Sequence, residues 1–180
     1  MDVAILRAIN GLHRPWLDAV ARLLGEWGFV LYAGTMLAIL WFQKRRAAPS
    51  VRDGVLALFA TEFLTERVLK QIVARPRPVH VPSLRRVLHV LGRVPSASSY
   101  SFPSGASAVA FAGATWLWLR WGPRAGIPGL VVATATMWAR MYAGVHYPTD
   151  VVAGAVCGVV FAFGVHRLTA WIEANAKRAA

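Results

Sequence analysis

The chain is expected to fold as an all-α, polytopic transmembrane helical bundle of five or six spans. Three observations predict this. Of the 180 residues, 57% are hydrophobic, against roughly 45–50% in soluble domains. The excess is gathered in blocks almost free of charge, 27–42, 104–119, 125–139 and 151–165. Flanking residues extend each block toward the roughly 20 needed to cross hydrocarbon. Trp16, Trp41, Trp121, Tyr142, Tyr147 and Trp171 stand near block ends, where amphipathic rings favour a membrane interface. Four such blocks leave too little polar surface for a soluble domain of this size, and the length suits one domain, 1–180.

The elements follow in order. Residues 3–12 are too short to span and read as an interfacial helix, with Gly11 and Pro15 breaking the chain before the first span. A sixth span would have to come from this segment. The first span is placed at 17–42 and the second at 51–73. The second is the least apolar, carrying Asp53, Glu62, Glu66, Arg67 and Lys70. Such groups are costly in a span unless they face a bundle interior or a wet cavity. Glu62 and Glu66 share a helix face with Arg67 close by, which reads as a structural ion network first and a substrate path second. Residues 71–103 form a long loop with one short amphipathic helix near 83–91. Three more spans are placed at 104–120, 125–143 and 149–171.

Charge sets the orientation. Lys44, Arg45, Arg46 and Arg52, then Arg120 and Arg124, then Arg167, Lys177 and Arg178 fall on one side of alternating crossings. The positive-inside rule makes that side cytoplasmic. The arginine-rich 71–103 segment and the 144–148 turn then share the opposite face. The formal charge of +12 belongs to topology and to an anionic lipid headgroup, and not to nucleic acid, because the arginines form no amphipathic stripe. Cys157 stands alone in an apolar block, so neither a disulfide nor a cysteine-based metal site is offered.

On that opposite face three clusters meet: Lys70 with Arg75 and Arg77, then Pro103-Ser104-Gly105, then Arg140 with His146 and Asp150. A helix start at Ser104 and Gly105 offers backbone N–H groups and a positive dipole end to a phosphate. Lys70, Arg77 and Arg140 would clamp its oxygens. His146 would attack phosphorus, with Asp150 holding the other ring nitrogen. No cluster has the carboxylate and histidine density of a two-metal phosphatase, so metal-independent phosphoryl transfer through phosphohistidine is expected, with no cofactor.

The spacing of these clusters resembles the type 2 phosphatidic acid phosphatase (PAP2) superfamily of membrane lipid phosphatases, whose signature is Lys-x6-Arg-Pro, Pro-Ser-Gly-His and Ser-Arg-x5-His-x3-Asp. Here the three read KQIVARPRP (70–78), PSGA (103–106) and ARMYAGVHYPTD (139–150). By this resemblance Lys70, Arg77, Ser104, Gly105 and Arg140 are phosphate ligands, His146 is the nucleophile and Asp150 its partner. The small size resembles bacterial members acting on undecaprenyl diphosphate, with phosphatidylglycerophosphate or phosphatidate as alternatives. The implied place is a multi-pass position in a bacterial plasma membrane, with the site on the periplasmic or extracellular face. The partners are the bilayer and its lipid phosphate, and nothing sets an oligomeric state.

Two positions depart from the pattern. Ala139 replaces a serine worth at most one hydrogen bond. Ala106 replaces the histidine that looks like the general acid for the leaving oxygen. General acid catalysis contributes roughly 10²–10⁴-fold, so a severe impairment is expected. Three readings of Ala106 stand: a silencing replacement, a variant whose leaving group needs little protonation, or a lipid-phosphate binder or transporter without turnover. His80 and His89 are candidates for a substitute acid, though no spacing places either there.

Overall fold

The computed structural model describes residues 1–43 and 48–179. Lys44, Arg45 and Arg46, on which the expected orientation leans, lie outside the described residues. Among the described residues, eight α-helices follow one another: α1 (Asp2–Asn10), α2 (Pro15–Gln43), α3 (Ala48–Phe63), α4 (Lys70–Val73), α5 (Pro82–Arg85), α6 (Gly105–Trp121), α7 (Pro123–Tyr142) and α8 (Pro148–Ala179). Proline opens α2, α5, α7 and α8, the position where its missing N–H is not needed and its fixed φ suits the helix.

The segment expected as one helix over 51–73 is broken. Between α3 and α4 the chain passes through a π-helical turn, Leu64–Leu69, a form that recurs at functional sites. The helix stops at Ala74, whose φ of 49° is left-handed, and Pro76 and Pro78 then forbid its resumption. The helix expected near 83–91 is a single turn, because the amide of His89 is taken by Asn10 Oδ1 at 2.8 Å. Asn10 also donates to the carbonyls of His89 and Tyr142, both at 2.7 Å. The side chain thereby fixes α1 onto the 86–91 loop and the end of α7.

At the centre α6 packs on α7, α8 and α3. Its inner face is built of small residues, with Ala108, Ala112 and Ala114 fully buried, and small residues let helix backbones approach closely. A side chain on Gly158 of α8 would run into the carbonyl of Ala108, and one on Gly154 into the carbonyl of Ser104. In an open helix a glycine-to-alanine change helps by about 1 kcal/mol. At 158 the overpacking penalty of about 1–3 kcal/mol opposes that gain and exceeds it, so Gly158→Ala is expected to lower the melting temperature in detergent. An unchanged or higher midpoint would show that α6 and α8 do not hold this contact.

The expected span count is corrected. Among the described residues, one helix stretch, Pro148–Arg178 with mean hydropathy 1.9, is long and apolar enough to cross a membrane. The bundle of five or six spans and the multi-pass placement with an outward-facing site are therefore not carried by the structure. The reasons lie in the elements themselves. α3 has 16 residues and includes Arg52, Asp53 and Glu62, α6 has 17 residues, and α7 dilutes its apolar residues with Pro123, Arg124, Pro128 and Arg140. What remains is an all-α fold whose helical core carries the three clusters.

Candidate active site

Short-range structure places each cluster. Beyond Ala74 the backbone is extended at Arg77 (φ −69°, ψ 152°). It is tied down by Ser101, whose amide donates to the carbonyl of Arg75 at 2.8 Å. Ser104 caps α6, its hydroxyl accepting from the Ser107 amide, as N-cap serines do. The Ser104 amide donates to the carbonyl of Asp150 at 2.9 Å, joining the start of α6 to the start of α8. Asp150 lies in the first turn of α8 and His146 in the turn before it.

His146, 1% exposed, is the hub. Arg77 Nη1 lies 2.9 Å from His146 Nε2. Because guanidinium only donates, Nε2 carries the lone pair and the ring proton resides on Nδ1. That nitrogen faces Asp150 Oδ2 at 3.5 Å, an approach longer than an ordinary hydrogen bond. Burial, and then the charges of Arg77, Arg140 and Lys70, hold the imidazole's pKa well below its usual value. The ring is thus neutral near pH 7 and presents a nucleophilic nitrogen. Arg77 is itself fixed by the Ser99 carbonyl at 2.7 Å and the Ser99 hydroxyl at 2.9 Å.

Asp150 is fully buried and its two oxygens are divided. Oδ2 accepts the Tyr147 amide at 2.8 Å, and Oδ1 accepts Arg75 Nη1 at 2.7 Å. Arg75 also donates to Thr149 Oγ1 and to Asp2 Oδ2, each at 2.7 Å, and lies 3.9 Å over the Tyr147 ring. Asp2 in turn accepts the amide and the hydroxyl of Thr149 at 3.0 and 2.6 Å. The sequence reading placed Arg75 in the first cluster without giving it a role, and it missed Asp2 and Thr149. The Arg-Pro-Arg-Pro run is a signal for Arg75. No local pattern could have found Asp2, which lies 147 positions from its partner Thr149.

Lys70, 3% exposed, donates to Glu66 Oε1. A side chain on Gly105 would collide with that same carboxylate, so Lys70, Glu66 and the head of α6 adjoin one another. Beside them opens a cavity of about 520 Å³ with Phe59 and Phe63 among its apolar lining and Glu62, Glu66, Lys70 and Ser99 among its polar lining. Arg140 is turned elsewhere: Nη1 donates to the Gly25 carbonyl on α2 at 2.9 Å, and the residue lines a second cavity, of about 290 Å³, with Arg22 and Arg93. Of the predicted residues, His146, Asp150, Arg77 and Ser104 are linked through direct contacts. Lys70 and Gly105 join through Glu66, and Ala106 follows Gly105 at the same helix head. Among the described residues, no group of three or more His, Cys, Asp or Glu is placed to hold a metal ion.

His80 and His89 are both committed away from position 106. His80 Nε2 lies 3.0 Å from the Pro95 carbonyl, and His89 stacks on His13 with ring centroids 4.6 Å apart.

The chain is 28% identical to undecaprenyl-diphosphatase BcrC of Bacillus subtilis, the match covering 91% of this chain and 81% of that protein. It is 34% identical to decaprenylphosphoryl-5-phosphoribose phosphatase of Mycolicibacterium smegmatis, covering 84% of this chain and 78% of the relative. Among solved structures, Aquifex aeolicus LpxE superposes with a TM-score of 0.75 at 26% identity, over 92% of this chain and 94% of that one. A family model described as the PAP2 superfamily matches residues 50–174, a stretch holding all three motif clusters, and the chain belongs to that superfamily.

Proposed function

We propose that this chain is a membrane-associated, metal-independent lipid-phosphate hydrolase whose preferred substrate is undecaprenyl diphosphate, converted to undecaprenyl phosphate. The observation that carries the proposal is the Arg77–His146–Asp150 line. A buried, neutral imidazole has Nε2 beside an arginine and Nδ1 toward a buried carboxylate. In the proposed reaction the terminal phosphoryl group takes the place of Nε2 as the acceptor for Arg77. Lys70, the Ser104 hydroxyl and the N–H groups heading α6 at Gly105 bind its oxygens. Arg140 completes the clamp by leaving the Gly25 carbonyl. Nε2 forms a bond to the terminal phosphorus as that phosphorus loses its bond to the bridging oxygen, which leaves with undecaprenyl phosphate. Asp150 stabilises the imidazolium, and water then cleaves the phosphohistidine to release inorganic phosphate.

Ala106 favours the diphosphate. Its leaving group is a phosphate monoester, stable without a proton, whereas phosphatidate or phosphatidylglycerophosphate must expel an alkoxide. On those monophosphates the lack of an acid at 106 is expected to slow the chain. Two of the relatives found are named undecaprenyl-diphosphatases, from Bacillus subtilis and Sulfolobus acidocaldarius, which supports the same choice.

Phosphate release in detergent from undecaprenyl diphosphate, phosphatidylglycerophosphate and phosphatidate tests the reading. Release is expected to be fastest from the diphosphate, by at least about tenfold, since a missing acid costs roughly 10²–10⁴-fold. Preference for a monophosphate would reassign the substrate. Lipid binding with no release from any of the three, by the chain or its Ala106→His variant, would make the pocket a binder or transporter.

A further inference from the structure

We infer that Glu66 is the general acid of this chain on monophosphate lipids, supplying, less effectively than a histidine at 106 would, the proton that Ala106 cannot. The inference rests on the phosphatase reading above and names a residue for one of its steps. Three features of the fold lead to it. Glu66 sits in the π-helical turn between α3 and α4, which carries its carboxylate against Gly105, next to the missing acid. The same oxygen holds Lys70, a proposed phosphate ligand, so the carboxyl lies within one side chain of the phosphoryl group. It also lines the 520 Å³ cavity whose other walls include Phe59 and Phe63, the apolar surface along which a lipid tail would leave. A group between the phosphate clamp and the exit for the lipid faces the leaving oxygen.

Chemistry supports the placement. An incoming phosphate draws Lys70 away from Glu66 Oε1 and leaves the Glu66 carboxyl facing the bound lipid phosphate. As Nε2 of His146 bonds to phosphorus and the phosphorus–lipid oxygen bond breaks, the Glu66 proton passes to the leaving oxygen. The resulting carboxylate then takes a proton from the water that cleaves the phosphohistidine, restoring the acid. One carboxyl thus serves as acid and then as base, as microscopic reversibility requires.

The experiment compares the chain with its Glu66→Gln, Ala106→His and doubly substituted variants on two substrates. Phosphatidate has a leaving alkoxide that needs a proton, and 4-nitrophenyl phosphate has a leaving group that does not. Glu66→Gln is expected to lower release from phosphatidate about 100-fold, within the range for a general acid. On 4-nitrophenyl phosphate the loss should be less than about tenfold, since proton delivery is then of little use. Histidine at 106 is expected to restore phosphatidate turnover in the Glu66→Gln background, which also shows that the variant is folded. Equal losses on both substrates, or none, would overturn the role of Glu66 and leave it as a partner of Lys70. An inactive parent with an active Ala106→His variant would also overturn it, while leaving the phosphatase reading intact. No release from any variant on either substrate would remove the phosphatase reading and this inference together.

Discussion

Replacing His146 with alanine is expected to abolish turnover, with a loss on the order of 10⁴-fold or more, as for removal of other covalent nucleophiles. The size follows from what the ring does. In the proposed reaction its Nε2 forms the bond to phosphorus, from a place between Arg77 on one side and Asp150 on the other. Ring and carboxylate are buried together, so water cannot readily take the place of Nε2 in line with the leaving oxygen. Loss of activity alone would also follow from misfolding, and two further readouts exclude that. Lipid-phosphate binding should survive within about tenfold, because the clamping cations are untouched. A phosphoenzyme trapped from the parent by rapid quench, labile to acid and stable to base, should be missing from the variant. Substantial turnover by His146→Ala would show that phosphate leaves by direct attack of water.

Asp150→Asn is expected to cost about 10³–10⁴-fold in kcat, comparable with the loss when a nucleophile's base is held in the wrong tautomer. The substitution preserves size but offers an amide N–H where Asp150 now presents only acceptors. Either the bond from the Tyr147 amide or the bond from Arg75 can keep its oxygen, and the remaining position turns a donor toward a donor. With Arg75, the charged donor, keeping the oxygen, the amide nitrogen stands at the Oδ2 place, His146 loses the acceptor facing Nδ1, its proton moves toward Nε2, and the attacking lone pair is gone. KM should change little, since the phosphate ligands keep their places, and a fall in kcat at unchanged KM is the signature to look for. The variant should remain folded, because Arg75 still has Asp2 and Thr149 as partners. Equal damage to KM and kcat would instead mark Asp150 as part of the frame that holds the phosphate.

Most of the helical order was legible because apolar blocks bounded by glycine, proline and charge are local signals. Pro15, Ser104, Pro123 and Pro148 open or cap helices within two residues of the expected starts. What the blocks did not supply was a span count. Apolar composition says that a segment is buried in something apolar, and a helix packed against α6 satisfies that as well as lipid does. The interruption at Leu64–Leu69 was illegible for a related reason, since a π-helical turn changes the register without changing composition. In the site, the fixed spacings picked out His146, Asp150, Arg77 and Ser104, which the fold links by direct contacts; their roles belong to the proposal. Arg140 was expected at the phosphate, and its Nη1 bonds the Gly25 carbonyl, an orientation that a spacing does not contain. Glu66 was read as a structural ion, and its nearness to Gly105 depends on how α3 crosses α6.

The link between the Ser104 amide and the Asp150 carbonyl, with Gly154 and Gly158 seating α8 on the backbone of α6, divides the molecule into an engine and a fitting. The proposed phosphate cradle and the proposed partner of His146 ride on one closely packed pair of helices, so neither can be re-aimed without the other. Phe59 and Phe63, which line the lipid side of the cavity, ride on α3 instead. An engineer who wants a different tail length or headgroup can therefore recut the α3 wall as an exchangeable part, leaving the α6–α8 pair and its chemistry as they stand.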